Sequence, residues 1–295
     1  MTWSRPPKPF ATAWTGRPEI AVFLAALAAL GFGFGDFLGG TATRSLSVWR
    51  ALLWAHGIGL ALVAGWAVTA SAGPTGRDLV AGSVAGLFGM VGLAFLYNGL
   101  ARGRAAVVAP TAAVVGALIP VVAGVLGGER PGLVTWLGVA IAFPAIVIAS
   151  SVDGVARRTA GLKYGLGAGV FFGGYFVALA ATSPDSELWP LIASRGTSVL
   201  VLTMTALLVS RQWFRVPNGG AGWAVLGVGV LDLVGNVTYL LATKVGALVV
   251  VAVVASLYPA VTVVISRFVY EEHLSSRQIA GLVLALAAVA LLAGA

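Results

Sequence analysis

Apolar runs of about twenty residues, separated by short polar connectors, follow one another from residue 19 to residue 294. A helix that crosses a bilayer needs about 20 mostly apolar residues. Ten runs meet that length: 19–41, 46–69, 78–101, 105–126, 132–150, 161–181, 187–210, 221–243, 246–267 and 275–294. Charges and turn residues collect between them, in "SAGPTGRD", "ARGR", "GGERPG", "DGVARRTAGLK", "TSPDSE", "RQWFRVPNGG" and "YEEHLSSR". None of these connectors can hold a soluble domain. The pattern predicts an all-α integral membrane protein of ten transmembrane helices, with its function inside the bundle.

The runs repeat. "GRAAVVAPTAAVVGALIPVVAGVLGGER" (103–130) aligns without gaps on "GALVVVAVVASLYPAVTVVISRFVYEEH" (246–273). Each ends in an acid, Glu129 or Glu272, with a glycine nine residues on, Gly138 or Gly281. "GDF" at 35–37 has "GYF" at 174–176, and the second run of each half carries an arginine, Arg50 or Arg195. The first runs share small-residue ladders, Gly31/Gly35/Gly39 and Gly165/Gly169/Gly173, which let helices approach closely. The division expected is a tail at 1–18, a first five-helix repeat at 19–150, a linker at 151–160 and a second repeat at 161–295. Five is odd, so the second copy enters the membrane upside down relative to the first. Inverted repeats are characteristic of secondary transporters, whose halves exchange conformations.

Composition agrees. Apolar residues make up 59% of the chain and charged residues 9%, against roughly 45–50% and 25% in soluble domains. With no Cys and only His56 and His273, thiol catalysis, disulfides and a zinc site are not expected; neither is a cofactor nor an enzymatic activity. The net charge of +8 is spread over connectors, which reads as topology and headgroup contact rather than nucleic-acid binding. The first residues lack a signal-peptide pattern and are expected to form a tail held at the interface by Trp3 and Trp14, while Trp189, Trp213 and Trp223 should anchor helix ends. Alternate connectors differ in charge. One side has Arg77, Arg130 and Lys244; the other has Arg44, Arg102, Arg104, Arg157, Arg158, Lys163, Arg211, Arg215, Arg267 and Arg277. The positive-inside rule would put the termini outside, against the basic tail of Arg5, Lys8 and Arg17.

Polar residues inside apolar runs are the candidate site, because ionisable groups in a membrane are costly and face the bundle interior. Asp36 lies in "GFGFGDFLGG". Asp232, Asn236, Tyr239 and Thr243 fall at i, i+4, i+7 and i+11, one stripe of a helix; it lines a cavity or bonds between helices. Tyr258, Thr262 and Ser266 form a similar stripe, although Ser and Thr often bond only their own backbone. Tyr97 and Asn98 end the third run, and Tyr175 is the repeat partner of Asp36. His56 is a packing residue or a proton carrier. Arg50 and Arg195 sit near enough to run ends to snorkel, the alternative being an anionic substrate group. Glu129 and Glu272 precede helix starts, where helix dipoles favour acids.

"LYPAVTVVISRFVYEEHLSSRQIAGLVLALAAVALLA" (257–293) resembles the end of an EamA-type half in the drug/metabolite transporter superfamily. "GFGFGDFLGGTATR", "LYNGLARGRAAVVAPTAAVVGALIPVVAGVLGGERP" and "LWPLIASR" fit the same family. The resemblance, over residues 20 to 293, implies ten helices, inverted halves and ATP-independent export or exchange of small metabolites. The structurally best-known relatives are similar to YddG-type aromatic amino acid exporters. One departure is that Pro259 of the second half faces Gly116 in the first, which has Pro110 and Pro120 instead, so the halves should bend differently.

Two other classes compete. Gly33-Phe34-Gly35-Asp36 spells the GxGD of intramembrane aspartyl proteases, with Asp232 as its available partner, but here the motif is in the first run and no Pro-Ala-Leu follows. A passive channel would suit glycine-rich helices; the repeat favours a carrier. The reading is a secondary transporter exporting small metabolites, amino acids the expected class, from a bacterial inner membrane, as a monomer without nucleic-acid partners. Asp36, His56, Tyr97, Asn98, Tyr175, Asp232, Asn236, Tyr239 and Tyr258 are the expected substrate-binding residues. The runner-up is a proton-coupled exporter of cationic drugs or amines.

Overall fold

The computed structural model describes residues 18–67, 69–70, 73–102, 105–150, 158–269 and 275–294. The helices are α1 (Pro18–Ala42), α2 (Val48–Ala67), α3 (Gly76–Ala101), α4 (Ala105–Leu126), α5 (Leu133–Ala149), α6 (Arg158–Ala180), α7 (Trp189–Val209), α8 (Gly219–Val245), α9 (Leu248–Ala255), α10 (Tyr258–Val269) and α11 (Ser276–Ala293), with a short 3-10 turn at Arg211–Phe214. Among the described residues, nine segments are long and apolar enough to cross a membrane, with Leu248–Ile265 counted as one. The shorter apolar helix Leu133–Ala149 supplies the tenth. The fold is therefore all-α, ten spanning segments in two repeats of five.

One expected run is broken. The segment read as 246–267 divides at Ser256–Leu257, where Leu257 N donates to Val254 O at 3.1 Å in a tightened turn. Pro259 follows, and a proline inside a helix removes a donor and clashes with the preceding turn. In the first half Pro110 and Pro120 lie within an unbroken α4. The two halves do bend differently, at the prolines that differ.

Helix pairing is two-fold in pattern. α1 packs along α8 and α3 along α6; α2 meets α8 and α3 meets α7; α4 meets α6 while α1 meets α9 and α10. α2 with α7, α4 with α9 and α5 with α11 are paired with their own counterparts. Exchanging the first five segments for the last five returns the same set, as a pseudo-two-fold between halves requires. Missing side chains allow these approaches. A Cβ on Gly31 would strike the α8 backbone at Leu231 and Gly235, and one on Gly169 would strike Val115 of α4. The two glycine ladders thus serve different neighbours.

Among the tryptophans, Trp223 is exposed, but Trp213 is buried and stacks on Trp49 with ring centroids 6.0 Å apart. Trp213 ties helix ends together rather than standing free as an anchor. Trp189 meets Trp66 edge-on at the start of α7. Trp3 and Trp14 lie outside the described residues, as do Glu272, most of the 151–160 linker and the side chain of Ser266.

Candidate functional site: a cavity between the halves

Two polar residues of the cavity come from α8. Asp232 and Asn236 are one helical turn apart and therefore share a face. Asn236 Nδ2 donates to the Asp232 carbonyl at 2.6 Å. Its Oδ1 accepts from the Tyr175 hydroxyl of α6. The Asp232 carboxylate pairs with Arg195 of α7. The pair is nearly enclosed, with side-chain exposures of 5% for Arg195 and 14% for Asp232. At such burial each charge depends on the other, since desolvation alone costs several kcal/mol per ion.

α1 reaches this pair through a glycine. A Cβ on Gly35 would stand 3.7 Å from the Asp232 amide nitrogen, so the two backbones lie side by side. The next residue, Asp36, is brought to the cavity. It is 9% exposed, and among the described residues none donates a hydrogen bond to it. On α2, His56 is 2% exposed, and neither of its ring nitrogens has a hydrogen-bond partner. Arg195 Nε is also unpartnered. It lies against Gly59, one turn from His56, 3.4 Å from where a Cβ would stand. Tyr258, at the start of α10, lines the cavity with a hydroxyl that is buried and unpartnered.

The remaining wall is apolar and small. Phe32, Leu93, Phe172 and Phe176 cover it, and on the α3 side Gly86 and Gly89 let Ser194 and Tyr175 pack close. Phe176 stands 5.9 Å from Phe32 and 5.6 Å from Tyr175, centroid to centroid. Ser198 donates to the Gly86 carbonyl at 2.8 Å, fixing α7 on α3. Space between the atoms amounts to about 480 Å³, part of it open to solvent. Chemically, it offers one unpaired carboxylate, one neutralised ion pair with spare donors, an unpartnered imidazole and an aromatic surface. Among the described residues no group of three or more His, Cys, Asp or Glu could hold a metal ion.

Six of the nine expected residues meet here: Asp36, His56, Tyr175, Asp232, Asn236 and Tyr258. Three do not. Tyr97 is 1% exposed, its ring packed where Gly39 lacks a side chain. Asn98 donates to the Ala94 carbonyl at 2.7 Å and accepts from Arg102 at 2.9 Å, a local helix-end bond. Tyr239 is fully buried behind the wall, its ring 4.4 Å from Phe176. Thr243 bonds its own helix at Leu240 O. Thr262 donates to Gly33 O at 3.1 Å, tying α10 to α1.

Arg195 lies deeper than its place near the end of an apolar run suggests. It does not snorkel; it is 4% exposed and its charge is held by Asp232. A usable signal existed, because a deep carboxylate such as Asp232 calls for a cation and Arg195 was the nearest to the middle of a run. Its repeat mate Arg50 stays at a helix end, donating to the Arg215 and Val216 carbonyls at 2.8 and 3.1 Å. Glu129 also departs from expectation. It caps α9 of the other half instead of its own following helix, accepting from Leu248 N at 2.6 Å and Val249 N at 3.0 Å. Burial pushes its carboxyl above the usual range, and the two amide donors pull it part of the way back.

The profile of the EamA-like transporter family matches residues 19–151 and again residues 159–294. The chain belongs to the EamA-like transporter family. Membership makes it a multi-pass membrane transporter of small solutes, and the two matches fall on the two repeats. No curated protein sequence matches it. A solved structure titled "Crystal structure of protein" superposes with a TM-score of 0.71 at 17% identity, covering 92% of this chain and 97% of that one; the likeness is one of fold. The GxGD motif also takes its place in this fold. A proteolytic dyad shares one proton between two carboxylates, whereas Asp232 is held by Arg195 and the motif's glycines serve helix contacts.

Proposed function

We propose that this EamA-family protein is a secondary transporter that exports small metabolites, amino acids the expected class, from a bacterial inner membrane as a monomer. The halves at 19–150 and 161–295 would move against each other, opening the central cavity to alternate sides. The observation that carries this reading is Asp36: a lone carboxylate, beside an aromatic wall, in a cavity built by both repeats. A carboxylate suits a substrate ammonium, and aromatic faces suit both a cation and an apolar body. Purified protein in proteoliposomes, given labelled amino acids and amines with and without a pH gradient, tests it. Saturable exchange that is lost in Asp36→Asn supports the reading; unsaturable flux would make the protein a pore.

A second reading has its own observation. Since no described residue neutralises Asp36, that carboxylate is free to hold a proton or a cationic substrate in turn, as in a proton-coupled exporter of amines. Amine efflux that drives counterflow of protons, with amino acids inert, would favour it.

A further inference from the structure

The cavity holds a second polar pole that neither transport reading uses. Arg195 spends one terminal nitrogen on Asp232, yet a guanidinium carries five N–H donors in a planar fork. Its Nε is buried without a partner. Both nitrogens of His56 are in the same condition, and both residues line the same space. Buried polar atoms in native proteins are nearly always bonded, and those that are not call for an occupant. The two sit on facing helices: Arg195 of α7 packs against α2 at Gly59, one turn from His56, where no side chain offers Nε a partner. Glycine at that position supplies it with none.

We infer that Arg195 Nε and His56 form a subsite for a carboxylate, so that the cavity takes a zwitterion: ammonium at Asp36, carboxylate at Arg195 and His56, side chain against Phe32, Phe172 and Phe176. The inference rests on the transport reading and sharpens it. Unmet hydrogen-bonding capacity, not net charge, separates the ligands. Arg195 and Asp232 cancel, leaving Asp36 uncompensated, so an anion alone meets unopposed negative charge. A simple amine satisfies Asp36 but leaves the Nε–H and the imidazole dry and unbonded. A zwitterion satisfies both poles. Arginine recognises carboxylates through paired N–H bonds, and Asp232, bound at one nitrogen, leaves an edge of the fork for a second carboxylate.

Matched sets of ligands test this on the purified, full-length protein. Each set holds an amino acid, the amine left by its decarboxylation and the carboxylate lacking its amine, built on leucine, phenylalanine and threonine side chains. Displacement of a bound labelled member, and exchange in proteoliposomes, are read for each. The expected result is that the amino acid of a responsive set binds at least about tenfold more tightly than its amine, the usual worth of a charge-assisted hydrogen bond. His56→Leu should weaken the amino acid severalfold and leave the amine unchanged, while His56→Gln, which keeps a donor, restores part of the loss. A merely structural His56 would weaken both ligands alike. Amines binding as tightly as their amino acids, or His56→Leu weakening both equally, would overturn the carboxylate subsite and leave the transporter intact. If no member of any set binds or crosses, the subsite falls together with the small-metabolite reading.

Discussion

Two regions of this molecule bury polar groups, and they treat them in opposite ways. At the face where α3 begins and α6 and α8 end, the charges of Asp78 and Lys244 are bonded. Asp78, fully buried, accepts from Thr75 Oγ1 at 2.6 Å and from Ser183 N at 2.7 Å. Lys244 Nζ donates to the Thr182 carbonyl and hydroxyl and to the Ser183 carbonyl, at 3.0, 2.6 and 2.7 Å. On the same face Glu129 closes the start of α9. In the central cavity, by contrast, His56, Arg195 Nε and Tyr258 are buried and unpartnered, and Asp36 faces open space. Asp78 is as buried as His56 and Arg195; satisfaction differs. A bonded buried charge holds helices together; an unbonded one at a cavity wall does not, and under the transport proposal it receives a ligand.

The sharpest way to break the comparison is to strand a charge in the cavity. Arg195→Ala leaves Asp232 buried and uncompensated, which should cost about 3–5 kcal/mol and abolish exchange, read by thermal melting in detergent and by proteoliposome flux. Asp232→Asn, which the sequence alone would treat as a mild change, now strands Arg195 and should approach the same loss. Replacing both partners with apolar residues should recover folding without activity; if it recovers activity too, the pair has no place in the site.

At the bonded face the expected losses are smaller and confined to stability. Asp78→Ala leaves the Ser183 amide without its partner and should cost about 1–3 kcal/mol. Substrate affinity of the folded fraction should not change, and a shifted KM would mean that the two regions are coupled. Glu129→Ala removes the acceptor for two amides at the start of α9, an effect of about 1 kcal/mol by analogy with helix N-caps. Melting midpoint reads it.

The smallest stability effects belong to the unpartnered groups. Tyr258→Phe and Asp36→Asn break no hydrogen bond seen in the structure, so each should stay within about 0.5 kcal/mol of the parent. Their effects should appear in transport instead: Asp36→Asn should lower exchange at least about tenfold, if the carboxylate supplies a charge-assisted bond to the substrate. Full activity in Asp36→Asn would reduce it to a packing residue beside the glycines of α1.

Much of this architecture was legible in the chain. Apolar runs of bilayer length, separated by short charged connectors, specify ten helices because only a helix satisfies its backbone inside hydrocarbon. An odd count within each repeat specifies inversion, and the spacing of Asp232 and Asn236 specifies that they share a face. Pro259 against Gly116 marked the two halves as bending differently. These are local properties, set by length, periodicity and the chemistry of single residues. What only the tertiary structure decided is which polar group meets which. Arg195 and Asp232 stand on different helices, and nothing in the spacing between them says that α7 and α8 turn those faces together. Tyr97 and Tyr239 look like cavity aromatics in sequence, but Gly39 and Phe176 take their rings into the packing. Glu129 precedes one helix in the chain and caps another in space. The difference has one physical cause: a helix fixes its own bonds within four residues, while the partners of its side chains depend on how whole helices are rotated against one another, and that is decided by many weak contacts summed over the bundle.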